Sequence, residues 1–105
     1  MSYFTNMCAM TGYSAKTTFW QDFSIADRFG KDAIQDTYDR AFKEWKSNHI
    51  YITELVMVLN WKSWEYAEQN EDYSELYANL FYKCRDWCYD NLKGEELQYF
   101  FETTD

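Results

Sequence analysis

The stretch ITELVMVLNWKSWEYAEQ, residues 52–69, decides the fold class of this chain. One of its helical stripes carries Ile52, Leu55, Val56, Leu59 and Tyr66, and a second carries Val58, Trp61 and Trp64. A helix that is apolar on more than one side packs against neighbours on both flanks. The pattern therefore predicts a helix in the middle of a helical bundle, capped by Thr53 or by the segment before it.

Two further long helices are predicted on either side of this one. In residues 31–47 the apolar positions recur at helical spacing, at Ile34, Tyr38, Ala41, Phe42 and Trp45. In residues 73–91 the corresponding stripe is Tyr73, Leu76, Tyr77, Leu80, Cys84, Trp87 and Cys88. The connections at residues 47–49 and 70–72 are short and polar, so neighbouring helices are expected to pack antiparallel.

Shorter elements are predicted towards the chain ends. A short helix is expected from about residue 18 or 22 to Phe29, ended by Gly30 in the left-handed conformation that terminates many helices. A final short helix, residues 95–103, follows Gly94.

Residues 1–18 show no sustained periodicity and are expected to form an irregular arm. Its contacts with the body are predicted at Tyr3, Phe4, Met7 and Met10. The predicted fold class is all-α: a compact bundle of three long helices with short flanking helices and this arm, in a single domain over residues 1–105.

Composition supports a folded helical protein. Proline is absent, glycine occurs three times, and hydrophobic residues make up 47% of the chain. Aromatic residues reach 22%, more rings than a core of this size easily buries, so some are expected at the surface as interface anchors. No apolar run is long enough to cross a bilayer, no signal-peptide pattern is present, and the cysteine count is odd. We expect a cytoplasmic protein with reduced thiols and no membrane association.

The charge of the chain is strongly negative and unevenly distributed. Eighteen acidic residues against ten basic ones give a formal net charge of −8. Such a chain is repelled by phosphate backbones, so direct nucleic-acid binding is not expected, and it is attracted to basic protein surfaces. Two stretches contain no Lys or Arg: residues 63–82, with Glu65, Glu68, Glu71, Asp72 and Glu75, and residues 94–105, with Glu95, Glu96, Glu102 and Asp105.

These acidic stretches are the predicted partner-binding surface, provided that they converge in space with neighbouring rings. The candidate residues are Glu65, Tyr66, Glu68, Glu71, Asp72, Tyr73, Glu75, Glu95, Glu96, Tyr99 and Glu102. Negative charge interleaved with aromatic rings can occupy a basic groove built for nucleic acid. An equally supported alternative is that the acidic residues only keep an aromatic-rich protein soluble.

A metal site is a second hypothesis. Cys84 and Cys88 lie one helical turn apart, and Cys8 with the single histidine, His49, would complete a Cys3His set for tetrahedral zinc. The spacing matches no standard zinc motif, and both helical cysteines lie on an apolar stripe. Buried structural thiols are therefore the favoured interpretation.

Catalytic motifs are missing from the sequence. It contains neither a glycine-rich phosphate loop nor a nucleophile elbow, and nothing around His49 suggests a general base. Carboxylate pairs such as Glu71 and Glu75 are typical of a solvated helix face. The sequence favours a protein that is not an enzyme.

The segments SIADRFGKDAIQDTYDRAFKEWKSNHIYITELVMVLNWKSW and NLKGEELQYFFETTD resemble a family of small proteins carried by mobile elements and phages of anaerobic bacteria. The resemblance implies a genomic setting in which small acidic proteins inhibit host defence, anti-CRISPR proteins that block a Cas nuclease being one kind. The expected function is thus to bind and inhibit a nucleic-acid enzyme. The candidate is Cas9, whose binding of guide or target DNA would be blocked. The alternative is a non-catalytic module that self-associates or binds a co-encoded protein.

Overall fold

The computed structural model describes residues 15–104. These residues form five α-helices and no strand: α1 (Ala15–Ala26), α2 (Lys31–Trp45), α3 (His49–Glu65), α4 (Glu71–Asn91) and α5 (Glu95–Thr104). The prediction of an all-α protein is confirmed. The helices pack into a compact body with a radius of gyration of 13.4 Å, close to the value of about 13 Å typical of a chain of about 100 residues.

Helix α3 lies at the centre of the packing. It contacts all four other helices, most extensively α4. Five of its aliphatic side chains are fully buried: Ile52, Leu55, Val56, Val58 and Leu59. Its second predicted stripe is only partly covered, because Trp61 and Trp64 are exposed at the surface.

Asparagine caps set the starts of α3 and α4. The Asn48 side chain accepts a hydrogen bond from the backbone N–H of Tyr51, and Asn70 accepts one from that of Tyr73, both at 3.1 Å. Each satisfies a backbone donor that the first helical turn leaves free. Helix α3 therefore begins at His49, three residues earlier than the apolar stripe suggested, and the cap is the preceding segment and not Thr53.

Helix α1 begins earlier than predicted. Residues 15–18, expected to be part of the irregular arm, are helical, while residues 1–14 lie outside the described residues. The backbone N–H groups of Ala15 and Lys16, at the start of α1, lie within hydrogen-bonding range of the Glu54 carboxyl group on α3. Burial raises the pKa of Glu54, and the Lys16 charge and these hydrogen bonds oppose that shift.

Gly30 marks a boundary, but not in the predicted conformation. Helix α1 ends at Ala26, a turn follows, and Gly30 precedes α2 with φ 108° and ψ −176°. This region of backbone space is accessible almost only to glycine and differs from the left-handed helical cap. Gly94, at φ 60°, separates α4 from α5 as predicted.

Candidate functional site

Four acidic side chains surround the connection between α3 and α4. Glu68 lies in the connection, and Glu71, Asp72 and Glu75 lie in the first turns of α4, where negative charge complements the helix dipole. All four are exposed, and none forms an ion pair within residues 15–104. We call these four residues the acidic turn.

Glu65 differs from the acidic turn although it belongs to the same stretch of sequence. It is the last residue of α3, and its carboxylate lies 2.7 Å from the Lys62 ammonium group. The lysine stands just before the stretch without basic residues, one helical turn from Glu65. The Glu65 carboxylate therefore has a basic partner, although the charge pattern of residues 63–82 suggested that it had none.

Two predicted aromatic anchors have their hydroxyl groups directed at the protein interior. The Tyr66 hydroxyl donates to the Asp27 carboxylate at 2.7 Å, and the Tyr73 hydroxyl donates to the Asp27 backbone carbonyl at 3.0 Å. The two rings also pack edge to face, with centroids 5.3 Å apart. A more exposed ring close in the chain to the acidic turn is Trp64, which is 68% exposed.

The centre of this region is a buried ion pair that the sequence analysis missed. The Lys62 ammonium group lies 2.6 Å from the Asp27 carboxylate, and the two side chains are 1% and 8% exposed. The same ammonium group lies over the rings of Trp20, Tyr66 and Tyr77, at 4.6, 5.3 and 5.7 Å. The Tyr77 hydroxyl donates a further hydrogen bond to Asp27. Lysine and aspartate thus join α1, α3 and α4 through one charge-assisted network.

A signal for this network was present in the sequence. Lys62 continues the stripe of Leu55, Leu59 and Tyr66, so it had to lie on the buried face of α3. A lysine at such a position requires a carboxylate partner. Its partner, Asp27, could not be named, because it lies in a turn far away in the chain.

Burial raises the pKa of three tyrosines, and for two of them the hydrogen bond to Asp27 raises it further. The pKa of Tyr66 and of Tyr77 lies well above the usual value of 10.0, because of burial first and then because each hydroxyl donates to the negative Asp27. Burial also raises the pKa of Tyr38, with a smaller contribution from neighbouring Cys84. All three side chains are held in the neutral form.

The second predicted acidic group lies at the start of α5. Glu95, Glu96, Tyr99 and Glu102 are all exposed, and the Glu96 carboxylate lies 2.5 Å from His49 Nδ1. A shallow groove of about 210 Å³ lies here, lined by His49, Ile50, Glu95, Glu96 and Tyr99. The contact with His49 ties the start of α5 to the start of α3.

The two acidic groups do not converge. Glu96 contacts His49, the first residue of α3, whereas the acidic turn follows Glu65, the last residue of the same helix. Sixteen helical rises separate these ends, a distance of about 24 Å. One compact contact therefore cannot include both acidic groups. The predicted partner-binding surface divides into two separate surfaces.

The proposed zinc ligands are only partly placed. Cys84 and Cys88 are free thiols in the core, with no exposed surface, and Cys8 lies outside the described residues. Hydrogen bonding with Cys88 and then burial raise the pKa of the Cys84 thiol well above its usual value. His49 contacts Glu96, and no group of three or more metal-binding side chains occurs among residues 15–104. The zinc site remains a prediction that depends on Cys8.

A larger groove, of about 640 Å³, lies between α1 and α2. Phe19 and Trp45 form part of its apolar floor, and the side chains of Ile25 and Phe29 lie exposed at its edge. Its charged lining residues are three acidic ones, Asp22, Asp36 and Glu44, and one basic one, Arg40, so the groove is net negative.

Comparisons with family models, with curated proteins and with solved structures find no match. Within residues 15–104, no helix combines the length and the apolar character needed to cross a membrane.

Proposed function

We propose that this protein acts by binding the basic, nucleic-acid-binding surface of another protein through the acidic turn and Trp64. One observation carries the proposal: four exposed carboxylates that form no ion pair within residues 15–104 follow, within eleven residues along the chain, a tryptophan that is 68% exposed. Tryptophan is among the residues most enriched at binding hot spots, and unpaired charge attracts an oppositely charged partner at long range.

The mechanism in this proposal is occupancy. Carboxylates in a basic channel take the positions of nucleic-acid phosphates, and the Trp64 ring fills an apolar recess between them. The three longest helices, α2, α3 and α4, form the rigid bundle that presents the surface, and the Lys62–Asp27 pair holds the end of α3. The resemblance to mobile-element proteins makes a Cas nuclease, and Cas9 in particular, the first candidate partner.

The test is inhibition of DNA cleavage by a purified Cas9, together with direct binding to the enzyme before and after it is loaded with guide RNA. The decisive variant is E68K/E71K/D72K, which reverses three charges of the acidic turn. We expect it to weaken binding at least about 100-fold, and the wild type to lose about tenfold in affinity when salt rises well above physiological strength. Trp64→Ala should weaken binding by about tenfold or more.

A matched control separates this surface from general negative charge. The variant D90K/E95K/E102K changes the net charge by the same amount with exposed residues at the other end of the molecule. It should bind within about threefold of the wild type, since only long-range attraction is reduced. Equal losses in the two variants, or unchanged binding in E68K/E71K/D72K, would contradict the proposal. A panel of other nucleic-acid enzymes tests the class of partner independently of Cas9.

A further inference from the structure

The outer face of α4 carries a stripe of exposed and partly exposed residues whose chemistry is complementary to itself. Its residues are Glu71, Glu75, Ala78, Tyr82, Arg85 and Tyr89, with spacings that alternate between four and three. This is the 3.5-residue repeat with which one helix packs along another. Every member is exposed or partly exposed, and the stripe extends over about 27 Å of helix. We call it the α4 seam.

Arg85 is held in place on this seam with hydrogen-bonding capacity to spare. Its guanidinium group lies 4.9 Å from the Tyr82 ring and 5.5 Å from the Tyr89 ring, so both rings fix its orientation. Its one carboxylate contact within residues 15–104 is a long one, 3.4 Å to the adjacent Asp86, and its buried Nε has no acceptor there. The side chain is 34% exposed, so an outside carboxylate can reach the terminal N–H groups of the guanidinium but not the buried Nε.

The matching carboxylate lies on the same seam. Glu75 is exposed and has no ion pair among the described residues. A two-fold axis through the middle of the seam runs a second α4 antiparallel to the first. It places Glu75 against Arg85 of the second copy, and the small Ala78 against Tyr82 of the second copy. Symmetry produces each contact twice.

We propose that the protein forms a two-fold symmetric dimer in which the α4 seams of two copies pack antiparallel. The two Tyr82 rings, each 50% exposed in one chain, cover Ala78 of the opposite copy, and the two Glu75–Arg85 pairs fix the register. Phe101 of α5 is 39% exposed and lies 5.8 Å from the Tyr89 ring, which widens the apolar strip at each end. A second copy fits this seam better than an unrelated chain does. In one and the same register, Glu75 lies opposite Arg85 and the small Ala78 lies opposite the large Tyr82.

The dimer and the proposed nuclease contact share Glu71 and Glu75, but the dimer is tested on the protein alone, without a nuclease. Of the other two residues of the acidic turn, Asp72 lies about 100° around the helix from the seam and Glu68 precedes the helix. Exchanging the seam charges leaves the net charge unchanged. A failure of the dimer and a failure of nuclease binding are therefore separate results.

The experiment is sedimentation equilibrium over about a hundredfold range of concentration at physiological salt. The wild-type mass should rise from the 12.8 kDa of one chain toward twice that value. Each single reversal, Glu75→Arg or Arg85→Glu, places like charges opposite each other twice, and should weaken dimerisation at least about tenfold. The exchange variant E75R/R85E restores both pairs in reverse and should return to within about threefold of the wild type.

Matched controls lie on the same helix outside the seam. Asp90→Arg and Lys83→Glu make the same charge changes at exposed positions about 100° or more around the helix, and should leave dimerisation within about threefold. Circular dichroism establishes that each variant is folded. A wild type that stays monomeric over the whole range, or an exchange variant as weak as the single reversals, would overturn the dimer.

Discussion

Replacing Lys62 by methionine should be among the most damaging single substitutions in the described part of this protein. Methionine keeps most of the length and the apolar stem but leaves the Asp27 carboxylate, only 8% exposed, without its cation. Removing one partner of a buried pair costs about 3 to 5 kcal/mol. The Tyr66 and Tyr77 hydroxyls still donate to Asp27, which favours the lower end of that range. We therefore expect the free energy of unfolding to fall by about 3 kcal/mol.

Urea unfolding, monitored by circular dichroism, measures this loss of free energy. In thermal unfolding, the same loss should lower the Tm of a domain of this size by about 12 to 24 °C. The control is Lys83→Met, the same change at an exposed lysine, whose cation lies 5.8 Å from the Tyr38 ring; its effect should stay within about 0.5 kcal/mol. Asp27→Asn completes a double-mutant cycle with a coupling energy expected at about 2 kcal/mol. A loss below about 1 kcal/mol in Lys62→Met would refute the account, because an ion pair accessible to water would explain it better.

Two further predictions follow from perturbed side chains. The three tyrosines with raised pKa are neutral in the fold but ionise near pH 10 once unfolded. The contribution of the two core tyrosines, Tyr38 and Tyr77, is therefore complete below pH 10 and is lost above it, by about 1.4 kcal/mol per pH unit for each ring. Tyr77→Phe should reduce the slope of unfolding free energy against pH by about that amount, and an unchanged slope would count against the assignment. In a Cys8→Ser background, Cys84 and Cys88 should react with a thiol reagent only as fast as the protein opens, since both are buried and the pKa of Cys84 is raised. Rapid labelling in native buffer would contradict this, and metal analysis of the wild type tests the zinc hypothesis directly.

The candidate site could be predicted only in part. The exposure of the acidic turn follows from the charge pattern of the sequence, because its four carboxylates have no basic residue close in the chain and must remain largely at the surface. The roles of its rings did not follow. Tyr66 and Tyr73 were expected to face a partner, but their hydroxyls reach Asp27, while Trp64, assigned to an apolar stripe, lies exposed.

Sequence by itself determined the helical class and the central place of α3, because both depend on periodicity and on side chains close in the chain. Tertiary structure alone placed the Glu54 carboxyl group of α3 beside the first N–H groups of α1. It also decided which charges have partners: the single Lys62 cation lies beside the carboxylates of both Asp27 and Glu65, and His49 contacts Glu96. Charge pairing depends on distances of a few ångströms between helices, and no local pattern encodes those distances.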